Sequence, residues 1–357
     1  MTIDQAKAID EDRVNQLVEQ ALGDFGSIML GALVVVGDRL GLFRALADGE
    51  ARTPAELATQ AGVIERNVRE WLAALAAGGY VTYEGDDRYS LSAEQAEVLT
   101  NETSPAFVMG GFQVTTAAAK SDEAITEAFR TGAGVGWHQH HHDLFHGTER
   151  FFRPGYAANL AQSWIPSLEG VEQKLLDGAE VADVGCGFGS STVIMAQAYP
   201  ESSFVGFDYH EESIEAARKA AVEAGVADRA RFEVAKAKSF PGSGYDLICF
   251  FDCLHDMGDP VGGLRHTRNA LAEGGTAMLV EPFAGNSVEE NLNPVGRIFY
   301  AASTLICTPA SQSQEVGLAL GAQAGEARLR AVAEEAGFTS FRRAAETPFN
   351  LVLEARA

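Results

Sequence analysis

Val181-Ala182-Asp183-Val184-Gly185-Cys186-Gly187-Phe188-Gly189, followed by Ser190, is the stretch that decides the fold. The run Val181 to Val184 reads as a strand, and three glycines at alternate positions then lead into a helix that starts near Ser190 or Ser191. Glycines let the backbone turn tightly and let a ligand approach with no side chain in the way. The dinucleotide fingerprint GxGxxG would need its third glycine at position 190, where this chain has Ser190, so the spacing points away from NAD.

Working outward, apolar runs at Phe204 to Phe207, Phe232 to Ala235, Leu247 to Phe251 and Ala277 to Val280 alternate with helical stretches such as Glu212 to Ala224. That rhythm predicts an α/β fold with a doubly wound parallel sheet. Asp208 closes the second run, where a carboxylate can accept both ribose hydroxyls of an adenosine; a strand-end aspartate can also simply cap the next helix. The tail predicts a helix over Glu326 to Ala336, then an antiparallel hairpin from Phe338 to Arg342 and Phe349 to Glu354 on the sheet edge.

Ahead of the sheet, Leu17, Val18, Ala21, Leu22, Phe25, Ile28 and Met29 recur at helical spacing, a face that needs a partner. Thr53-Pro54-Ala55-Glu56 predicts a capped helix start, Val68, Trp71, Leu72 and Leu75 the face of a second helix, and Gly85-Asp86-Asp87 a hairpin turn. Together these read as a winged helix-turn-helix. Its chemistry opposes DNA, because Glu65 and Glu70 offset Arg66 and Arg69 and the wing carries Glu84, Asp86 and Asp87. A packing and dimerisation module is the expected role. The expected organisation is 1–100 winged-helix and dimerisation domain, 101–170 helical linker and lid, and 171–357 nucleotide-binding catalytic domain.

At 357 residues with 46% apolar content the chain has material for two cores. Fifty acidic against 27 basic side chains, a formal charge of −23, disfavour nucleic acid as a bulk partner. The four cysteines, Cys186, Cys249, Cys253 and Cys307, form no CxxC pair, so reduced thiols are expected. The acidic N-terminus lacks a signal peptide's basic flank and the apolar stretches are short, which points to a cytoplasmic protein without a membrane span.

The glycine loop with Asp208 resembles motif I and the second-strand acidic residue of class I S-adenosylmethionine-dependent methyltransferases. The span from about 150 to 357 is similar to that family's seven-stranded layout, here preceded by an α-helical winged-helix domain as in bacterial O-methyltransferases. The resemblance implies S-adenosylmethionine as cofactor, a small-molecule methyl acceptor and a homodimer. It assigns Asp183, Gly185, Gly187, Gly189, Asp208, Phe240, Phe251 and Asp252 to the cofactor. Asp183 would hold the cationic amino acid end or only organise the loop. Where relatives place an acidic residue for the adenine, this chain has Ala235-Lys236-Ala237-Lys238, with Phe240 as an apolar wall.

Phe251-Asp252-Cys253-Leu254-His255-Asp256-Met257 follows the fourth sheet strand and resembles the HDW segment of winged-helix O-methyltransferases. The resemblance implies His255 as general base, with Asp256 beside it and Glu281 orienting it. Imidazole titrates closest to neutral pH, and an alcohol or phenol is a poor nucleophile until its proton leaves. A nitrogen or sulfur acceptor would make His255 a positioning residue instead. A further family glutamate aligns nearest Gln323. A ligand-sensing transcription regulator on the same fold and an NAD-dependent dehydrogenase are the rival readings.

Five histidines crowd Trp137 to His146. Their spacing fits no standard metal signature, so no metal is expected and the segment reads as a lid, with His138, His141, Phe152 and Tyr156 toward the acceptor. The long connection from Asn286 to Gly325 is expected to cover the site, with Phe299 touching the acceptor.

Overall fold

The computed structural model describes residues 9–357, and the chain divides after Phe112 into two compact units. The first opens with a helix, Glu11–Arg39, whose start is fixed by the Asp10 carboxylate accepting the Asp12 and Arg13 N–H groups. Thr53 and Glu56 form the reciprocal capping box ahead of Pro54–Ala61, and Glu65–Ala77 follows. β1 (Thr82–Gly85) and β2 (Arg88–Ser90) complete the winged helix-turn-helix; their turn residues Asp86 and Asp87 sit at φ 48° and 61°, as a two-residue hairpin of this hand requires. Val34, Phe43, Leu57, Trp71 and Leu72 form the core.

The basic side chains of the second helix are neutralised locally: Arg69 contacts Glu65 at 2.6 Å and Asp87 at 2.7 Å, and Arg66 contacts Glu70 at 2.6 Å. A phosphate backbone would meet paired charges there. The N-terminal helix leaves Leu17, Leu22, Phe25, Ile28 and Met29 exposed. By length and composition it is also long and apolar enough to cross a bilayer, although Val34 and Gly37 near its end are buried in the winged-helix unit.

The second unit is built on seven strands: β3 (Glu180–Val184), β4 (Ser203–Asp208), β5 (Ala230–Val234), β6 (Tyr245–Phe251), β7 (Leu271–Pro282), β8 (Ser340–Glu346) and β9 (Asn350–Arg356). Their order is β5-β4-β3-β6-β7-β9-β8, parallel through β7 and antiparallel for β9 and β8. Val181 and Phe204 enter the core on one face, Ala182, Val184, Val205 and Phe207 the core on the other. Burial on both faces explains why the parallel strands read as continuous apolar runs. β7 starts earlier than the apolar run implied, because Leu271 pairs with Tyr245 ahead of a register shift.

The segment 101–170, expected as a helical linker and lid, is divided between the two units. From Gln113 onward it belongs to the sheet unit, where Tyr156, Leu160 and Trp164 are buried in one cluster with Val181 and Phe251. The sheet order reverses between β3 and β6, so a crevice opens at their carboxyl ends.

Gly37 tests the packing of the N-terminal unit. Alanine there gains helix propensity of about 1 kcal/mol, but its Cβ would lie 2.8 Å from Trp71 Cε2 and 2.9 Å from Phe43 Cε2. Overpacking costs typically about 1–3 kcal/mol, so Gly37→Ala is expected to lose about 1 kcal/mol net in urea unfolding. A gain in stability would show that this interface yields freely.

Candidate active site

A cavity of about 420 Å³ lies at the carboxyl ends of β3, β4 and β6. Its floor is the glycine loop. The Gly185 and Cys186 N–H groups both donate to the Phe207 carbonyl, at 2.7 and 3.0 Å, which pins the loop to β4. Gly185, at φ 78°, also approaches Cys253 so closely that a Cβ would meet its Sγ at 2.7 Å. Gly187, at φ 51°, lines the cavity and would have open space around a Cβ. Gly189 does something else: a Cβ there would strike Phe232 at 2.7 Å and Ala217 at 2.9 Å, and it does not line the cavity. Its assignment to the cofactor is corrected to close packing of the following helix.

Asp208 lines the cavity. Its Oδ2 accepts the Gly187 N–H at 3.0 Å and its Oδ1 the His210 N–H at 2.9 Å. Burial raises its pKa against those two N–H groups. Asp183 does not reach the cavity; its Oδ2 accepts the Ser191 and Thr192 hydroxyls at 2.6 and 2.7 Å, while Oδ1 is buried without a partner. Burial pushes it up to about 6. Of the two roles open to it, organising the loop matches these contacts. Phe240 is not an adenine wall either: it is buried, stacked on Phe207 at 5.1 Å with His266 against its ring edge, and absent from the cavity lining.

After β6, Phe251 and Asp252 both line the cavity. Asp252, at φ 50°, accepts the Tyr156 hydroxyl at 2.8 Å and the Asn350 amide at 2.9 Å. Burial and the nearby Glu281 push its carboxyl up to about 8. His255 sits just behind this wall and is itself buried, whereas Asp256 lines the cavity. Its Nδ1 lies 2.6 Å from Glu281 Oε2, and Glu281 Oε1 accepts the Leu254 N–H at 3.0 Å. On its other side, Nε2 lies 3.1 Å from Asp256 Oδ1, a charge contact off the line of a hydrogen bond. Burial pulls the imidazole down, but Asp256 and Glu281 outweigh it and raise its pKa well above the ordinary value.

The histidine cluster does not converge. His138 lines the cavity, His140 is buried with Nδ1 2.9 Å from the Ser121 hydroxyl, and His146 packs edge-on against Phe188. His141 is outside the cavity, correcting its place among acceptor contacts; it lies 3.1 Å from Asp143, which also holds the Lys120 ammonium at 3.0 Å. Phe152 and Tyr156 are in the lining, their rings stacked at 5.9 Å. Phe299 is not: it is buried with Ala117, Leu144 and Ile306, because its helix, Pro294–Ala302, turns that face into a separate apolar cluster. Gln323 is likewise outside, donating to the Phe283 carbonyl at 3.3 Å.

Several lining residues escaped the sequence. Tyr209 and His210 follow Asp208, and His210 stacks on Phe145 at 4.9 Å; an aromatic pair after a strand-end acid is a signal that was readable. Glu149 accepts the Ser190 hydroxyl at 2.9 Å, a pairing across distant sequence with no local signature. The long connection does cover the site, through Gln314 and Glu315 rather than Phe299. Gln314 takes the Gly258 N–H at 3.0 Å and donates to the Asp256 carbonyl at 2.9 Å, and Glu315 pairs with Lys238 at 2.5 Å.

Residues 175–337 match the family described as "Methyltransferase domain", and residues 28–101 the "Rv2258c-like winged HTH domain". The chain is similar to the ubiquinone biosynthesis O-methyltransferase of Bordetella avium, 33% identical over 129 residues, which is 36% of this chain and 51% of that protein. It thus spans about half the length of that curated relative. The solved mitomycin 7-O-methyltransferase MmcR shares the fold at a TM-score of 0.71 and 21% identity, covering 97% of this chain and 100% of its own. Human N-acetylserotonin methyltransferase, solved in complex with SAM, does so at 0.69 and 15%, covering 99% of each.

The raised pKa of Asp252 has a measurable consequence. An unfolded carboxyl titrates near 4, so between about pH 4 and 8 the native chain holds a proton that the unfolded chain has released, and stability falls as pH rises. Asp252→Asn removes that contribution. Its unfolding free energy relative to the parent is expected to climb from pH 5 to pH 8, by at most about 1.4 kcal/mol per pH unit. A difference that does not change with pH would contradict this picture.

Proposed function

Residues 175–337 are a methyltransferase domain of the S-adenosylmethionine-dependent class, joined to a winged helix-turn-helix domain, and we propose that the chain methylates an oxygen of a small molecule with His255 as general base. The observation that carries this reading is one cavity lined both by Asp208 with the open Gly187 backbone and by Asp256 in contact with His255.

The residues present fit the cofactor. Gly187 offers backbone that a side chain would obstruct, and Asp208 offers carboxylate lone pairs to ribose hydroxyls beside it. S-adenosylmethionine, when bound, supplies a methyl group on a positively charged sulfur. Asp256, facing the cavity, favours that positive charge. Glu281 fixes the imidazole through Nδ1, which leaves Nε2, beside the cavity-lining Asp256, as the atom to take the acceptor's proton once the pH has passed the raised pKa of His255 and the ring is neutral. In-line displacement depends mainly on holding acceptor and methyl in line, so Phe152, Tyr156 and His138 are assigned to shaping the acceptor's side. The relative named for ubiquinone biosynthesis supports an oxygen acceptor. The four cysteines are free thiols, in keeping with a reducing, cytoplasmic setting.

Calorimetric titration with S-adenosylhomocysteine is expected to give one site per chain. Asp208→Ala should weaken it by about 2 kcal/mol or more, the scale of losing charge-assisted hydrogen bonds. His255→Ala should keep cofactor affinity while turnover falls on the order of a hundredfold or more with any acceptor found by screening phenols, amines and thio-acids. Undiminished binding by the Asp208 variant, or undiminished turnover by the His255 variant, would sink the corresponding assignment.

The exposed face of Glu11–Arg39 is assigned to a homodimer. Phe25 and Ile28 are 60% and 73% exposed, too much apolar surface on one stripe to leave in water. Light scattering is expected to give twice the chain mass for the parent protein and the single chain mass for Phe25→Glu with Ile28→Glu. A monomeric parent would refute the assignment.

A further inference from the structure

His255, Asp256 and Cys307 bring a nitrogen, an oxygen and a sulfur within 4.8 Å of one another, in a pocket where His255 and Cys307 are buried. The chain reaches this arrangement from two distant segments. His255 and Asp256 lie on the single turn after β6, and Cys307 ends the π-helical turn Ser303–Cys307 in the long connection that covers the site. A π-helical turn is rare and is frequently found at functional sites. Here its residue Cys307 places a thiol against both His255 and Asp256.

We propose that these three side chains form a binding site for a divalent transition metal, with zinc the best fit. The donor chemistry is the first ground: imidazole nitrogen, carboxylate oxygen and thiolate sulfur are the ligand types zinc takes, and three protein ligands leave a fourth position open. The ion contributes two positive charges against one each from Asp256 and the Cys307 thiolate; the thiol proton and the Nε2 proton of the His255 imidazolium pass to solvent on binding, so the loaded site is neutral. Spacing is the second ground. Ligand atoms about a tetrahedral zinc stand roughly 3–4 Å apart, and Nε2 and Oδ1 already lie at 3.1 Å. The third is the support behind the histidine: Glu281 Oε2, 2.6 Å from Nδ1, fixes the imidazole with Nε2 on the side of Asp256. Carboxylate–histidine–metal chains are built this way. Asp256 lines the cavity and gives an entry path.

The other group of potential ligands, His141, His142 and Asp143, lacks these features. His142 is exposed, and Asp143 already holds the Lys120 ammonium at 3.0 Å, where an incoming cation would have to displace it. Occupation of the buried site takes the Nε2 that accepts the substrate proton, so the metal-loaded chain is blocked for transfer. That consequence rests on the reading of His255 as base; the binding itself does not.

Cobalt(II) is the probe, because a cobalt–thiolate bond gives a near-ultraviolet charge-transfer band that nitrogen and oxygen ligands lack. Titrated into the reduced full-length protein, cobalt is expected to bind at one ion per chain with that band, and zinc to displace it. Cys307→Ser should abolish the band and weaken binding at least tenfold. Glu281→Gln should keep the band and weaken binding about tenfold, as loss of a supporting carboxylate does. His141→Ala with His142→Ala should change neither. Absence of the band in the parent, its survival in Cys307→Ser, or loss of binding in the double histidine variant would each overturn the assignment. Melting curves establish that each variant is folded, and the result is independent of whether S-adenosylhomocysteine binds.

Discussion

Five carboxyl groups, Asp183, Asp208, Asp252, Asp256 and Glu281, gather at the carboxyl ends of the parallel strands, and among the described residues only His255 forms an ion pair with any of them. Burying that much acidity with so little basic compensation is unfavourable, and it appears as the raised pKa values of Asp183, Asp208 and Asp252. The sheet tolerates the cost because four of these carboxyls also accept hydrogen bonds that hold the fold. Asp183 ties down the next helix through two hydroxyls, Asp208 holds Gly187 and His210, and Glu281 holds Leu254 and His255. A ligand carrying fixed positive charge relieves the remainder, which is the physical reason a sulfonium cofactor suits this crevice better than an anionic dinucleotide.

Much of this was legible in the sequence. Strands buried on both faces announce themselves as apolar runs, so β3, β4 and β6 could be placed within a residue or two, and Asp208 at the end of β4 followed from position alone. The capping box at Thr53 formed as written, and the hairpin turn expected over Gly85-Asp86-Asp87 formed one residue shorter, at Asp86-Asp87, with Gly85 closing β1. What could not be read was which side of an element each polar residue would take. The spacing of Gly185, Gly187 and Gly189 looks uniform, yet two serve the cavity and the third seats a helix against Phe232. Phe240 and Phe299 carry the same apolar signal as a cavity wall, and only the packing of their neighbours shows them to be core.

Long-range pairings were the other blind spot. Asp252 is held by Tyr156 from one direction and Asn350 from another, and Cys307 reaches His255 from a connection whose irregular π-helical turn no periodicity predicts. The histidine-rich segment misleads in the opposite sense. Its density in sequence suggests one site, but the backbone between His138 and His146 sends its rings to different environments, one to the cavity, one to Ser121 and one to Phe188.

In the function proposed above, one crevice binds the nucleoside through Asp208 and presents its sulfur to the Asp256–His255 pair. A crystal structure of the complex with S-adenosylhomocysteine tests it most directly. Both ribose hydroxyls are expected on the Asp208 carboxylate, with the amino acid end along the Gly185–Gly187 backbone and the sulfur turned toward Asp256. A nucleoside bound outside this cavity, or bound within it with its ribose away from Asp208, would contradict it.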